Sequence, residues 1–267
     1  MKEVFRRLLT GVLYVLLLLS AVFLSPEAYD FLFMVFGLAC LYEYKRLVRL
    51  KGYYIFIAYL ALWWVFIYLT RDPVLIQVLL ALTIAVNLGL IAYLYSGRTL
   101  VFNTLQKYLI GLFYLGGGCI FLTMIPYQDE FFAKYLIIGI FILIWVNDSF
   151  AYLVGKTLGR HKLFPSVSPK KTIEGSLGGL LFALVGAYFL GRFVPVLEIT
   201  QWVLLGLILV IMGSFGDLIE SKFKRAAGIK DSGAILPGHG GMLDRLDSLV
   251  FAAPFAYLTL IIFNYVS

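Results

Sequence analysis

The chain has 267 residues, of which 62% are hydrophobic and only 14% are charged, with a mean hydropathy of +0.94. Soluble domains carry about 25% charged residues, so this composition excludes an ordinary soluble globular protein. The net charge of +7 does not imply a nucleic acid partner, because the basic residues are dispersed through loops that flank apolar runs.

Apolar runs bounded by charged residues, Pro or Gly predict nine spanning helices, since crossing a bilayer takes roughly 20 apolar residues. The first run is too long for the hydrophobic region of a signal peptide, so we predict a helix that is retained. We therefore expect an all-α integral membrane protein with a single polytopic domain, residues 1–267. The nine predicted spans are residues 8–24, 30–42, 53–70, 73–95, 108–126, 133–154, 176–195, 202–220 and 249–265.

The distribution of Lys and Arg predicts the orientation of these helices. All of the 22 basic residues except Arg71, Lys134 and Arg192 fall in alternate loops that would lie on one side. Because such loops are cytoplasmic, we expect the N-terminus in the cytoplasm and the C-terminus outside. The two long polar loops, 155–175 and 221–248, would then share the cytoplasmic face. We expect the site there, in a catalytic half comprising residues 136–250, while residues 1–135 have no assigned role.

Two acidic residues lie inside predicted spans. Asp148 lies about 10 Å from the cytoplasmic end of the sixth run, and Asp217 lies near the same end of the eighth. A charge inside a span is unfavourable by about 3 kcal/mol, and such residues generally face an interior cavity or a partner. Both acids are therefore candidates for function. Alternatively, each serves helix packing, either protonated or hydrogen-bonded to Asn147 or Ser214.

The acids also form pairs at a spacing of three residues. Asp217 and Glu220 share one helix face, as do Asp244 and Asp247 if the last helix begins near Met242. Like charges at this spacing repel each other unless cations lie between them, and carboxylate oxygens are the ligands that Mg²⁺ prefers. The pattern favours a metal site. The alternative is a solvated first helical turn, where acids complement the helix dipole.

A candidate phosphate-binding element begins at Ser168. We predict that Ser168 is the N-cap of a helix with Pro169 in its first turn, and that Lys170 and Lys171 reinforce the attraction of its free N–H groups for anions. Membrane topology alone also predicts basic loops, so no single lysine is decisive. A second basic set comprises Lys222, Lys224, Arg225, Lys230 and Arg245.

The glycine-rich stretch 236–241 precedes the last acid pair. Glycines suit a tight loop, and the consecutive N–H groups of Gly240 and Gly241 are able to form an anion-binding nest. His239 is a candidate for contacting a phosphate or handling a proton, although the usual role of a single loop histidine is a structural hydrogen bond.

Taken in order, these residues resemble the signature of the phosphatidate cytidylyltransferases, also called CDP-diacylglycerol synthases. Two upstream segments, 147–152 and 168–175, are similar to other segments of that family, so the resemblance covers about residues 140–250. The chain departs from the family pattern at Ser149, Lys171 and Ile173, which affects local packing and substrate contacts more than the reaction class. The matching signature residues are Ser221, Phe223, Lys224, Arg225, Lys230, Asp231, Gly233, Leu236, Pro237, His239, Gly240, Gly241, Met242, Asp244, Arg245, Leu246 and Asp247.

The resemblance implies that CTP and phosphatidate react, with Mg²⁺ in a two-cation site, to give CDP-diacylglycerol and pyrophosphate. The expected metal ligands are Asp217, Asp244, Asp148 and Asp247. The expected catalytic residues are Asp217, Asp244, Lys224, Arg225, Asp247 and His239. The residues expected to bind substrate phosphates are Lys170, Lys171, Ser168, Lys230, Arg245, Ser221, Gly240 and Gly241.

The sequence is also compatible with two functions other than cytidylyl transfer to phosphatidate. An ion-coupled transporter or channel would use Asp148 and Asp217 as coupling sites, but it predicts matching polar positions in two halves of the chain. A closer alternative is another CTP-dependent lipid enzyme, such as a polyprenol kinase or an ether-lipid cytidylyltransferase. The expected partners are CTP and phosphatidate in the cell membrane, with a possible homodimer and no nucleic acid.

Overall fold

The computed structural model describes residues 2–96, 102–128, 131–233, 235 and 240–266, and these are helical almost throughout. The helices of the first half are α1 (Lys2–Leu24), α2 (Pro26–Leu47), α3 (Tyr54–Trp64), α4 (Pro73–Tyr95), α5 (Thr104–Ile110) and α6 (Gly118–Met124). A π-helical segment, Val65–Leu69, extends α3, and another, Gly111–Gly117, joins α5 to α6. The helices of the second half are α7 (Lys134–Thr157), α8 (Ile173–Phe193), α9 (Ile199–Ala226) and α10 (Leu243–Val266).

The strands are few and short among the residues described. β1 (Tyr127–Gln128) pairs antiparallel with β2 (Phe131–Phe132), and β3 (Lys162–Phe164) pairs antiparallel with β4 (Ser168–Thr172). The second hairpin connects α7 to α8, within the region predicted to be the long polar loop 155–175. This loop therefore has a defined conformation at the ends of two helices.

The helix boundaries follow from local capping. Ser25 accepts a hydrogen bond from the amide of Ala28 at the start of α2, with Pro26 as the first helical residue. Asp72 caps α4 in the same way, through the amide of Val74. Proline in the first turn removes an amide that would have no intrahelical partner, so these boundaries are fixed by sequence alone.

Among the described residues, six helical segments are long and apolar enough to cross a membrane, which agrees with the expected helical membrane protein. They are α4, the continuous segment Thr104–Met124, α7, α8, α9, and α10 as far as Phe263. Leu9–Leu24 and Tyr54–Leu69 are shorter apolar helices. Crossing by all nine predicted segments, and the orientation of the termini, stay predictions.

The final two predicted spans are longer in the structure. α9 runs to Ala226 and not to 220, and α10 begins at Leu243 and not at 249, so the loop between them is shorter than 221–248. The predicted spans ended where the first charged residues appear in the sequence. In the structure both helices continue through these charged residues, because their polar ends pack inside the protein. Glu220, Lys224 and Asp247 are all buried.

The expected helix start at Ser168 is wrong. Residues 168–172 form β4, and α8 begins at Ile173 with Thr172 as its N-cap, whose hydroxyl accepts from the amide of Gly175 at 3.1 Å. Pro169 fits because proline is tolerated in a strand with a free edge. Lys170 and Lys171 therefore belong to the hairpin and not to a helix N-terminus.

Helix α2 packs against α1, α3, α6 and α10. It presents Tyr29, Phe33, Cys40, Leu41 and Tyr44 to the core, and each of these is fully buried. Aromatic rings of this helix pack against one another and against α7, as in the pairs Tyr29–Phe33 and Phe33–Phe141, and such contacts stabilise helix packing. The helix therefore binds the N-terminal half to the helices that carry the candidate site.

Candidate functional site

The candidate site begins where the β3–β4 hairpin meets α9. The ammonium of Lys171 lies 2.5 Å from a carboxylate oxygen of Asp217, and both side chains are partly exposed. The Ser221 hydroxyl donates to the other oxygen of Asp217 at 3.3 Å. The structure thus brings the segments around residues 170 and 221 together, as expected if they form one site.

Two further acids lie around Asp217. Asp148 on α7 and Asp247 on α10 are each close enough to be repelled by the charge of Asp217 and attracted by that of Lys171. Asp148 is exposed and accepts from the amide group of Asn147 at 3.1 Å, whereas Asp247 is buried. Three helices therefore direct carboxylates toward one region.

These acids do not form a preorganised metal-ligand set. Within the described part of the chain, no group of three or more His, Cys, Asp or Glu residues has the spacing required to hold a metal ion. The four residues expected as metal ligands thus share a neighbourhood without a ligand cage. Magnesium binding stays a prediction.

Further along α9 from Asp217 and Ser221, Lys224 lies between two acids, one from α9 and one from α10. Its ammonium is in direct contact with a carboxylate oxygen of Glu220 and lies 2.6 Å from an oxygen of Asp244. The exposed fractions of the three side chains are 11%, 1% and 9% for Lys224, Glu220 and Asp244. The charge of Asp247 also acts on Glu220. The repulsion expected within the two acid pairs is thus offset by a lysine ammonium.

Asp244 is fully engaged within the chain. Besides Lys224, it accepts from the amides of Ser232 at 3.0 Å and Gly241 at 2.7 Å. The amide of Gly241, expected to bind a substrate phosphate, is therefore used by an internal carboxylate. Gly240 is half-buried and has φ +86, a conformation suited to glycine. The third residue expected in this loop, His239, lies outside the described residues.

The remaining basic residues surround this region at the surface. Arg225 is exposed and donates to the carbonyls of Val167 and Ile229, at 3.3 and 3.1 Å, so it joins the hairpin to the end of α9. Lys170, Lys230 and Arg245 are exposed and Ser168 is half-buried.

Lys222 has a different position from the other basic residues. It is buried, and its ammonium contacts the carbonyls of Tyr93 and Leu94 at the end of α4 and lies over the Tyr93 ring. Cations are favourable at helix C-termini, so this lysine joins α9 to α4. It does not face the acids around Asp217.

Sequence reasoning missed Glu43. This residue of α2 has an exposed fraction of 1%, and its carboxylate accepts from Ser232, Met242 and Leu243. Glu43 follows Phe36 and Cys40 at helical spacing, so a continued helix would place it on the same buried face. This spacing was the signal in the sequence that could have identified it. The signal was hidden because the predicted span ended at 42, which placed Glu43 in a solvent-exposed loop.

Comparison with known proteins identifies one family over nearly the whole chain. The model of the cytidylyltransferase family matches residues 5–263. A phosphatidate cytidylyltransferase of Bacillus subtilis (strain 168) is 36% identical over 279 aligned positions, which cover 99% of this chain and 100% of that protein.

Staphylococcal proteins are more similar over a shorter region. The phosphatidate cytidylyltransferase of Staphylococcus aureus (strain COL) is 45% identical over 155 residues, which cover 57% of this chain and 58% of that protein. The one from Staphylococcus saprophyticus is 43% identical over 155 residues with the same coverage. The matched region thus spans 58% of the length of these staphylococcal relatives.

Proposed function

Because this chain belongs to the cytidylyltransferase family, we propose that it transfers the cytidylyl group of CTP to phosphatidate, which yields CDP-diacylglycerol and pyrophosphate. The observation that carries the proposal is the end-to-end alignment with the B. subtilis relative, which is named a phosphatidate cytidylyltransferase. The geometry supports it, because basic and acidic side chains from four separate segments converge at one end of the helices.

The proposed reaction joins two polyanions. A phosphate oxygen of phosphatidate attacks the α-phosphorus of CTP and forms a new P–O bond, while the bond from that phosphorus to the bridging oxygen of the β-phosphate breaks. Pyrophosphate leaves with the electron pair. Because the attacking phosphate is already largely ionised at neutral pH, the protein has to position and neutralise the reactants, and no strong general base is needed.

The surface cations suit this task. Lys170, Arg225, Lys230 and Arg245 are exposed, and we assign them to binding the phosphates of CTP and the lipid. Lys171 lies at the border of this group, in contact with Asp217. Lys224, which the family resemblance implies to be catalytic, is buried between Glu220 and Asp244, and its proposed role is to neutralise those acids.

Magnesium is part of the proposal. Asp217, whose side chain is partly exposed, and the neighbouring Asp148 would hold the ion, together with water and substrate phosphates. Asp244 is a weaker candidate because its side chain is only 9% exposed and its oxygens contact Lys224 and two backbone amides, whereas the side chain of Asp217 is 35% exposed. When bound, the ion supplies charge neutralisation at the triphosphate.

The location proposed for the site is the cytoplasmic face of the cell membrane. With nine crossings and the N-terminus in the cytoplasm, the hairpin and the start of α10 would lie at the inner surface. The lipid phosphate would then be held at the interface, and CTP would arrive from the cytosol.

The test is a transfer assay with the purified protein, CTP labelled at its α-phosphate, phosphatidate vesicles and Mg²⁺. We expect lipid-linked CMP, and we expect EDTA to abolish its formation. Parallel reactions contain diacylglycerol, a polyprenol or an ether-linked phosphatidate analogue as the acceptor. Transfer of the γ-phosphate to a polyprenol, followed in a parallel reaction with CTP labelled at its γ-phosphate, or ion flux in proteoliposomes without CTP turnover, would contradict the proposal.

A further inference from the structure

Glu43 is a buried acid that the proposed reaction does not use. Its carboxylate accepts from the Ser232 hydroxyl at 2.9 Å and from the amides of Met242 and Leu243 at 3.1 and 2.9 Å. An ionised carboxylate is retained in a protein interior only when several such donors replace water. The three bonds therefore define a specific connection from α2 to residues far along the chain.

The donors belong to the connection between α9 and α10 and to the start of α10: Ser232 lies within the connection, Met242 ends it and Leu243 begins the helix. Leu243 is the first residue of α10, whose first amides have no partner within the helix. Glu43 supplies that partner from another helix, and its negative charge suits the positive end of the helix dipole. Asp244 likewise accepts hydrogen bonds from the amides of Ser232 and Gly241. The carboxylates of Glu43 and Asp244 together therefore hold residues 232 and 241–243.

Two glycines allow Glu43 to reach the loop. A Cβ atom at Gly233 would overlap one of its carboxylate oxygens, and a Cβ at Gly241 would overlap the other oxygen and the Ser232 hydroxyl. Any larger residue at either position would displace the carboxylate or the loop. The loop sequence is therefore shaped around Glu43.

We propose that Glu43 is a positioning residue for cytidylyl transfer, acting through the first turn of α10. Asp244 and Asp247 lie in this part of α10, and Asp244 contacts Lys224 while Asp247 lies near Asp217. A displacement of the helix start moves both acids relative to α9. Glu43 thus gives the N-terminal half a role in the site, an inference that rests on the proposed function.

The test compares Glu43→Gln with a matched control on the same helix. Asp30 is also buried on α2, but at its opposite end, where the Tyr127 hydroxyl donates to it at 2.8 Å. We expect Glu43→Gln to lower kcat by about tenfold to a hundredfold, since its amide group presents hydrogens to donors that need an acceptor. KM for CTP should change by less than about threefold. Asp30→Asn should lower thermal stability and leave kcat within about threefold.

Hydrogen exchange supplies a readout that is independent of activity. The amides of Met242 and Leu243 should exchange about tenfold faster or more in Glu43→Gln than in the wild type, and Asp30→Asn should leave them unchanged. Glu43→Asp keeps the charge on a shorter side chain, so it should restore part of the lost kcat.

The outcomes separate the two proposals. If the wild type forms no lipid-linked CMP, the proposed function fails, and the exchange measurement alone decides whether Glu43 holds α10. If the wild type is active, an unchanged kcat in Glu43→Gln overturns the positioning role. An equal loss of kcat in Asp30→Asn also overturns it, because the effect would then reflect general destabilisation of α2.

Discussion

At the scale of single residues, the charge balance around Lys224 distinguishes this site. The acids at 217, 220, 244 and 247 repel one another, and a lysine of α9 lies between the two helices that carry them. Buried ion pairs contribute little net stability, but removing one partner leaves an uncompensated charge. Lys224 therefore holds α9 and α10 together, whereas Asp217 lies at the accessible side of the cluster.

We predict that Asp217→Asn lowers the formation of lipid-linked CMP by about a hundredfold or more, because the substitution removes the accessible charge that pairs with Lys171 and would hold Mg²⁺. The assay is initial-rate turnover of labelled CTP at saturating Mg²⁺. The control is Glu198→Gln, an exposed acid at the opposite end of the same helix. Activity within about threefold of the wild type would show that Asp217 is outside the site.

Lys224→Met should destabilise the protein by about 3 kcal/mol, since Glu220 and Asp244 would remain buried without their cation. Thermal unfolding in detergent measures this as a lower Tm. Adding Glu220→Gln to the same chain should recover part of the loss because it removes one of the two buried acids that have lost their partner. No recovery in the double variant would indicate that the lysine acts mainly through packing.

At the scale of elements, the close contact of α9 with α10 sets the distances in the site. A Cβ at Gly216 would lie 2.5 Å from the carbonyl oxygen of Asp247 and 2.7 Å from the Cβ of Phe251. Glycine at this position therefore allows the two backbones to approach each other. The β3–β4 hairpin completes the arrangement by placing Lys171 on the accessible side of α9.

Gly216→Ala should force these helices apart and destabilise the protein by about 1–3 kcal/mol, with loss of transfer activity. The matched control is Gly89→Ala on α4, where a Cβ would meet no atom within 4 Å. Because alanine favours helix over glycine, this control should be neutral or stabilising by up to about 1 kcal/mol. Equal Tm values for the two variants would contradict the close-contact argument.

At the scale of the whole molecule, the charge asymmetry and the helix pattern together predict which ends of the helices meet the cytoplasm. Arg192 and Lys156 are exposed at opposite ends of the paired helices α8 and α7. The predicted orientation places Arg192 outside and Lys156 inside the cell.

A membrane-impermeant maleimide should therefore label Arg192→Cys in intact cells and Lys156→Cys only after permeabilisation. The native Cys40 and Cys119 are buried and should contribute little background. The reverse labelling pattern would invert the proposed location of the site and exclude access of cytosolic CTP.

Part of the candidate site could be proposed from the sequence, because its residue types and spacings are local properties. Asp217, Lys171 and Asp244 were identified from acids near span ends and basic residues in the polar loops. The conformation of residues 168–172 was not predictable, since a Ser-Pro pair fits a helix start as well as an edge strand, and the pairing with Lys162–Phe164 decides between them.

The sequence by itself determined the membrane class, the approximate position of each helical segment and the family, because hydrophobic runs, capping residues and ordered motifs are read along the chain. Only the tertiary structure decided which polar and charged groups come into contact. Glu43 and Leu243 are 200 positions apart, and Lys171 is distant from Asp217 in the chain. Such contacts depend on how helices pack, so no local pattern indicates that a carboxylate of α2 fixes the start of α10.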